Sequence, residues 1–205
     1  MFSTLPQNIQ DELARLSTRY GQPIVAYARL HTNESFDPVS KKDRYGEVCM
    51  VIRRKNGRLL TMIKTFYPEG AYRLLTGGIN HGEYVLDALL RETQEETSLQ
   101  VEVKQFLAVA AYHLTEQDQT PVFYTFAFLL DEIGGVLTVE DEHEQVDDFH
   151  EITPAELLPL ADRLEQLGAN YSPDLEGRWG DWGRFRAVIH RLVWQALEKP
   201  VQEHS

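Results

Sequence analysis

The chain has 205 residues, of which 42% are hydrophobic and 25% charged, and its formal net charge is −12. These proportions are ordinary for a globular protein of one domain with additions, and the negative charge argues against a general nucleic-acid binder, which needs a basic surface. No apolar run is long enough for a membrane span, and the N-terminus lacks the basic and apolar regions of a signal peptide. The single cysteine, Cys49, cannot form an internal disulfide, so we expect a cytoplasmic protein.

The N-terminal region is predicted to be an extension ahead of the main domain. Residues 5–20 have the pattern of an amphipathic helix that Gly21 can end. Residues 23–30 are predicted to form a strand, and the polar residues 31–42 a loop. We expect residues 1–43 as a whole to pack on the main domain or to exchange with a second subunit.

The main domain is predicted to begin with a β-hairpin. Residues 47–54 and 58–66 are β-rich and are joined through Asn56-Gly57, which is the strongest short hairpin signal. Residues 72–75 are predicted to form a short strand that delivers the chain into a glycine-rich loop.

This glycine-rich loop contains Gly77, Gly78 and Gly82, and a helix is predicted directly after it. Glycines permit left-handed backbone and let a ligand come close. Side chains that recur at three- and four-residue intervals predict the stripe of the helix that faces the core: Val85, Leu86, Leu89, Leu90, Thr93 and Thr97. Three acids share one flank of the same helix: Glu92, Glu95 and Glu96. They repel one another, and a hard divalent cation such as Mg²⁺ would offset that repulsion.

The stretch from Gly77 to Leu99 fits the pattern G-x₅-E-x₇-R-E-U-x-E-E-x-G-U, in which U is an apolar residue. This is the pattern of the Nudix box, so the chain resembles the Nudix hydrolase family. Every charged position matches, including Glu83 and Arg91. Thr93 departs mildly, because it stands where the family usually has an aliphatic residue.

Ser98 is the second departure, because the family has glycine at this position. That glycine normally ends the helix in a left-handed conformation, which a serine adopts only at a cost of about 1–2 kcal/mol. We therefore expect the helix to end earlier, with the hydroxyl of Thr97 or Ser98 satisfying a carbonyl of the last turn.

Beyond the box, residues 99–112 and 122–130 are predicted to be strands that enter a core, separated by the polar loop 113–120. Residues 140–148 are strongly acidic and are predicted to form a solvated loop.

The C-terminal part of the chain is predicted to be mainly helical. The sequence Thr153-Pro154-Ala155-Glu156 has the pattern of a helix start, and this helix is predicted to end near Gly168. Residues 169–183 are predicted to form a loop, in which two tryptophans could stack on a nucleobase or, more commonly for this residue type, cover the core. An amphipathic helix is predicted over 184–197.

The resemblance implies an α/β/α sandwich with a mixed sheet, to which N-terminal and C-terminal helical extensions are added. We expect the Nudix domain to span residues 44–165, with residues 166–205 packing on it as a loop and a helix. It also implies divalent-metal-dependent hydrolysis, with Mg²⁺ or Mn²⁺, of a diphosphate bond in a small-molecule nucleoside diphosphate derivative. The alternative is a catalytically weak or inactive module with the same fold that binds a nucleotide or a partner protein.

The resemblance assigns roles to residues of the box. Those implied to act in catalysis are Glu83, Arg91, Glu92, Glu95 and Glu96. Metal ligands are implied at the carbonyl of Gly77 and at the three acids of the helix flank. Arg91 is implied to pair with box acids and hold them in place.

Some assignments stay open at this level. The general base is Glu95 or Glu96, or an acid of the later loop, Glu142 or Glu144. Candidates for substrate binding are Arg53 and Arg73, since a guanidinium on a strand near the box could grip a phosphate, together with Glu144.

Three further expectations concern partners and chemistry. We expect neither a nucleic-acid partner nor a membrane. A homodimer is expected because the apolar stripes of the two flanking helices need cover. Isoprenoid diphosphate isomerisation within the family is disfavoured, because it usually needs a catalytic cysteine and Cys49 lies in a predicted buried strand.

Overall fold

The computed structural model describes residues 2–30, 44–114, 117, 120–139 and 145–198. A mixed seven-stranded sheet forms the middle layer. Its strands are β1 (Ile24–Arg29), β2 (Gly46–Arg53), β3 (Leu59–Lys64), β4 (Leu75–Gly78), β5 (Leu99–His113), β6 (Phe123–Gly135) and β7 (Val146–Ile152). The helices are α1 (Gln7–Tyr20), α2 (Val85–Thr97), α3 (Leu157–Glu165) and α4 (Trp179–Glu198). A two-stranded ribbon, β8 (Tyr171–Ser172) and β9 (Gly177–Arg178), precedes α4.

The order of strands across the sheet is β1-β5-β6-β2-β3-β7, and β4 pairs with β2 outside this path. The pairs β1–β5 and β2–β6 are parallel, and the other pairs are antiparallel. One face of the sheet packs against α1 and α2, and the other against α3 and α4. The predicted α/β/α sandwich is therefore confirmed. No helix among the described residues combines the length and the apolar composition needed to cross a bilayer.

The apolar stripes of the two flanking helices are covered by the protein's own sheet. Ile9 and Leu13 of α1 belong to one core cluster, and Phe185 and Ile189 of α4 belong to the other. The expected homodimer stays a prediction, but the uncovered stripes that motivated it do not exist. One member of the predicted α2 stripe is also misplaced, because Leu90 is 43% exposed.

The first two box glycines lie in a strand, whereas a loop was predicted. Gly77 and Gly78 close β4 and pair with Val48 and Glu47 of β2. Gly82 lies in the turn before α2 and has a φ of +82°, a conformation that glycine adopts without strain. Strand pairing of the glycines brings the backbone of β4 alongside the box helix.

Strand β7 was not predicted, because its acidic residues were interpreted as loop. It pairs antiparallel with β3, with His150 opposite Thr61. Because β7 lies at the edge of the sheet, its charged side chains can stay in water, which hides the usual apolar signal of a strand. Residues 140–144, the rest of the predicted acidic loop, lie outside the described residues.

Helix α4 begins at Trp179, within the stretch that was predicted to be a loop. Trp182 is 1% exposed and packs with Leu164 and Ala71, so these tryptophans cover a core. The glycines that suggested a loop serve helix packing instead, since a Cβ on Gly183 would lie 1.9 Å from the carbonyl oxygen of Leu164. The capping box predicted at Thr153 and Glu156 is confirmed, but it begins a 3-10 turn, Pro154–Glu156, that leads into α3.

Ser98 has a φ of +55°, so the expectation that it avoids the left-handed conformation is wrong. Its amide donates to the carbonyl oxygen of Gln94 at 2.9 Å. The hydroxyl of Thr97 donates to the Thr93 carbonyl one turn back, at 2.5 Å, rather than to one of the carbonyls that the helix end leaves without an amide partner, so this part of the expectation is wrong as well. Strand β5 begins at the next residue, Leu99, so the reversal from helix to strand must occur within Ser98, and the strand that follows holds it there.

Candidate functional site

Arg91 of α2 joins several groups of the box. Its Nε and Nη2 donate to the two carboxylate oxygens of Glu83 at 2.8 and 2.9 Å. Its Nη1 donates to Glu92 and to Glu95, both at 2.8 Å. Its Nη2 also donates to the carbonyl oxygen of Gly78 on β4, at 2.9 Å. We call the four side chains Glu83, Arg91, Glu92 and Glu95 the Arg91 cluster.

The Arg91 cluster holds three carboxylates around one guanidinium, so it carries excess negative charge. Burial alone would raise the pKa of the Glu83 carboxyl, but hydrogen bonds from Arg91 and from the Asn80 amide outweigh burial and hold that pKa below its ordinary value. The hydrogen bond to Glu83 is the main reason that the pKa of Arg91 is raised. Both groups are therefore charged at neutral pH.

Gly77 makes room for Glu92. A Cβ built on Gly77 would lie 2.0 Å from the carboxyl carbon of Glu92, so any side chain here would displace the carboxylate. Glu92 is 7% exposed and lies directly against β4. The first glycine of the box is therefore required by the close approach of α2 to β4 rather than by a turn.

The three acids of the helix flank differ in exposure, although the position of Glu95 and Glu96 on this flank predicts that both are exposed on the metal side. The side chain of Glu95 is 39% exposed and that of Glu92 is 10% exposed. Glu96 is 0% exposed, because it faces the sheet. The expectation that Glu96 is exposed is therefore wrong, and Glu95 is the acid of this flank that water reaches most easily.

Of the two basic candidates for substrate binding, Arg73 is buried. It is 2% exposed and donates to the Tyr67 hydroxyl, the Leu74 carbonyl and the Thr76 hydroxyl at 2.8–3.1 Å. Burial by itself lowers the pKa of Arg73, but the neighbouring Tyr67 and the charge of Glu96 raise it above its ordinary value. Arg73 thus lies beneath the box helix, within the protein.

Arg53 is not brought to the box. It ends β2 and forms a bidentate ion pair with Asp131 at 2.7 and 3.0 Å. Val48, the residue opposite Gly77, lies five positions earlier on the strand, which corresponds to about 16 Å.

The acids of the later loop that were candidates for the general base or for substrate binding, Glu142 and Glu144, lie outside the described residues.

The donor chemistry of the box fits a hard divalent cation. Carboxylate oxygens and carbonyl oxygens are ligands that suit Mg²⁺, and the Glu92 carboxylate lies against the backbone at Gly77. Within the described part of the chain, no three His, Cys, Asp or Glu side chains are grouped as they would be around a metal ion. In this structure Arg91 contacts two of the three acids of the helix flank.

A second polar cluster lies on the opposite face of the sheet and was missed in the sequence. Arg186 of α4 donates to Glu47 of β2 at 2.6 Å, and the hydroxyl of Thr125 donates to the same carboxylate oxygen at 2.9 Å. His190, one turn further along α4, accepts from the Leu74 amide through Nε2 at 2.9 Å. We call Glu47, Thr125, Arg186 and His190 the Glu47 cluster.

The Glu47 cluster is sealed from solvent. The side chains of Arg186 and Glu47 are 7% and 4% exposed. Because Nε2 of His190 accepts a hydrogen bond, Nδ1 carries the proton and donates to the Arg186 carbonyl at 2.7 Å. Burial lowers the pKa of His190 to about 3, so the ring is neutral. The sequence feature that could have revealed this cluster is a pair of basic residues, Arg186 and His190, at i, i+4 spacing within the apolar stripe of α4.

Comparison with known proteins gives a match to the family model described as NUDIX domain over residues 44–175, more than half of the chain. An ADP-ribose pyrophosphatase of Methanocaldococcus jannaschii is 31% identical over 120 residues, which are 58% of this chain and 63% of that protein. Nudix hydrolase 2 of Arabidopsis thaliana is 30% identical over 89 residues, which are 42% of this chain and 32% of that protein. The chain therefore matches less than two thirds of the length of either relative.

Among solved structures, an ADP-ribose pyrophosphatase from Streptococcus suis aligns with 75% of this chain and 92% of its own. It has 16% identity and a TM-score of 0.45.

Proposed function

The chain belongs to the Nudix family, and on that premise we propose that it hydrolyses the diphosphate bond of a nucleoside diphosphate derivative with the help of a divalent metal ion. The relative named ADP-ribose pyrophosphatase, 31% identical to this chain, supports nucleoside diphosphate sugars as the substrate class. ADP-ribose is the first candidate. The cytoplasm is the proposed location, on the composition of the chain.

The observation that carries this proposal is the excess of carboxylates in the Arg91 cluster. One guanidinium at 2.8–2.9 Å from three carboxylates gives these four side chains a net negative charge beside the backbone of β4. A pure binding module would gain nothing from this charge, since a diphosphate is itself negative and would be repelled. A cation between the carboxylates and the diphosphate removes the conflict.

The proposed metal ligands are the Gly77 carbonyl and the carboxylates of Glu92, Glu95 and Glu96, with Mg²⁺ or Mn²⁺ as the ion. When bound, such an ion neutralises charge on the diphosphate oxygens and lowers the pKa of a bound water.

The protein's own residues have distinct proposed roles. Glu95 is the proposed general base, because its side chain, 39% exposed, is the most accessible of the helix flank. Glu96 is 0% exposed. Its proposed role is therefore that of a metal ligand, or of a negative charge that stabilises the charged guanidinium of Arg73. Arg91 holds Glu92 and Glu95 in place, and Glu83 orients Arg91 through both carboxylate oxygens.

The experiment is a turnover assay with ADP-ribose, other nucleoside diphosphate sugars, a nucleoside triphosphate and a dinucleoside polyphosphate, each with Mg²⁺ or Mn²⁺. The products of each reaction are separated from the substrate and quantified by anion-exchange chromatography. We expect turnover of the nucleoside diphosphate sugars, its loss in excess chelator, and its return when metal is added.

Full activity in excess chelator would overturn the metal assignment. Binding of these nucleotides by calorimetry, without turnover of any of them, would instead support the inactive binding module.

A further inference from the structure

The N-terminus of the box helix α2 is closed by a side chain from α1. Glu12 accepts from the Val85 amide at 2.8 Å and from the Leu86 amide at 3.0 Å, one bond to each carboxylate oxygen. Glu12 is 5% exposed, although α1 is a surface helix. A buried carboxylate that receives two amide hydrogen bonds is a built contact rather than a chance one.

No local residue performs this function. The residue at the N-cap position of α2 is Tyr84, which makes no side-chain capping bond. The first amides of a helix have no partner within the helix, and the positive end of the helix dipole favours a carboxylate there. Glu12, more than seventy residues away in the sequence, therefore replaces the usual local cap.

The other end of α2 is fixed by its own contacts. The Ser98 hydroxyl donates to the Thr138 carbonyl at 3.1 Å, and the Thr138 amide donates to the Thr97 carbonyl at 3.0 Å. The helix is thus held at both termini, and three members of the Arg91 cluster, Arg91, Glu92 and Glu95, lie on the turns between them. The Glu12 contact is close to this cluster along the chain, because the Val85 amide that it binds is two residues from Glu83.

We propose that Glu12 is a positioning residue for the reaction: by binding the first amides of α2, it sets where that helix presents its carboxylates against β4. This inference rests on the proposed function. It assigns an active-site role to α1, which lies ahead of the residues that the family model matches, 44–175.

The role follows from the short distances between α2 and β4. Arg91 reaches the Gly78 carbonyl at 2.9 Å, and Glu92 fills the space at Gly77. A helix that shifts by about 1 Å at its free end would break both contacts, and misplacement of this size can lower a rate by about 100-fold.

The test compares Glu12→Gln, which removes the charge but keeps the shape, with Glu12→Asp, which keeps the charge on a shorter side chain. The matched control is Asp11→Asn, which alters an exposed acid on the same helix whose carboxylate accepts from Gln7, four residues away. Four quantities are measured for each purified full-length chain: kcat and KM with ADP-ribose and Mg²⁺, the dissociation constant for Mn²⁺, hydrogen exchange of residues 85–88, and the melting temperature.

We expect Glu12→Gln to lower kcat by about 10- to 100-fold while KM changes less than about 2-fold. Mn²⁺ binding should weaken, and hydrogen exchange of the Val85 and Leu86 amides should accelerate. The values for Glu12→Asp should lie between those of Glu12→Gln and those of the native chain. Asp11→Asn should match the native chain in every measurement.

A Glu12→Gln protein that melts at a lower temperature but keeps native kcat and Mn²⁺ affinity would overturn the proposal, because Glu12 would then be merely structural. If Glu12→Gln does not fold, native kcat and Mn²⁺ affinity in Glu12→Asp despite faster amide exchange would overturn it equally. If the native chain turns over no substrate, the proposed function fails, while Mn²⁺ affinity and amide exchange still decide whether Glu12 positions the helix.

Discussion

The Arg91 cluster and the Glu47 cluster both join arginine to glutamate, yet they differ in charge balance and in exposure to solvent. In the Arg91 cluster, one guanidinium serves three carboxylates, and the side chains of Arg91 and Glu95 are 30% and 39% exposed. In the Glu47 cluster, one guanidinium meets one carboxylate, and both side chains are less than 10% exposed. Charge excess within reach of solvent suits the cation that we propose for the Arg91 cluster, whereas charge balance without solvent is typical of a structural pair.

Because the Glu47 cluster is buried, the carboxylate of Glu47 needs hydrogen-bond donors from the protein itself. Hydrogen bonds to the remaining polar atoms offset part of the desolvation cost of a buried ion pair, and Thr125 supplies one such bond to Glu47. Through Arg186 and His190, α4 holds β2 and the start of β4 from the face opposite the box helix. Each cluster therefore contacts β4 or the residue next to it, one from each face of the sheet.

The largest expected effect separates activity from stability in the Arg91 cluster. We expect Glu95→Gln to lower turnover by about 10²- to 10⁴-fold, the range for loss of a general base. Its unfolding free energy should change by less than about 0.5 kcal/mol, because Glu95 belongs to a partly exposed i, i+4 pair. Steady-state kinetics and urea unfolding measure the two effects. Glu102→Gln, which alters an exposed acid on β5, is the control, and near-normal turnover of the Glu95 variant would contradict the prediction.

The second prediction concerns the buried pair. Arg186→Met leaves Glu47 buried without its cation, and we expect it to destabilise the fold by about 3–5 kcal/mol. The control is Arg191→Met on the same helix, which removes exposed pairs with Asp162 and Glu165 and should cost less than about 1 kcal/mol. Equal losses of unfolding free energy in the two variants would show that the Glu47 cluster is not the structural pair described above.

The smallest expected effect is a pH dependence of stability that comes from His190. Its pKa is about 3 in the folded protein and 6.5 ordinarily, so the unfolded chain binds more protons between these values. Stability therefore rises with pH across this window and is lost as pH falls from about 6.5 towards 3, by at most about 1.4 kcal/mol per pH unit.

His190→Gln removes this titration, while an amide can still accept from Leu74. Urea unfolding at several pH values from 4.5 to 7 should show a shallower slope for the variant than for the native chain. Identical slopes in the two proteins would mean that His190 is not neutral and buried as the structure has it.

Local patterns in the sequence predicted much of this protein. The spacing from Gly77 to Leu99 identified the box and its acids, Asn56-Gly57 identified the β2–β3 hairpin, and Thr153 with Glu156 identified a helix start. Each of these depends on residues a few positions apart, whose relative placement is fixed by helix or strand geometry alone. The same geometry placed Glu92, Glu95 and Glu96 on one flank.

Short-range spacing was therefore enough to identify the box, its acids and the family, and the resemblance to that family implied the fold class. Which of those acids is buried depends on the packing of the whole chain, since Glu96 is 0% exposed in a site built from distant strands. That packing also decided the positive φ of Ser98, because the position of β5 fixes where the chain must reverse. The contacts of Glu12 with α2 and of Arg186 with Glu47 join residues 73 and 139 positions apart, and no local pattern encodes which distant carboxylate will meet a helix end or a guanidinium.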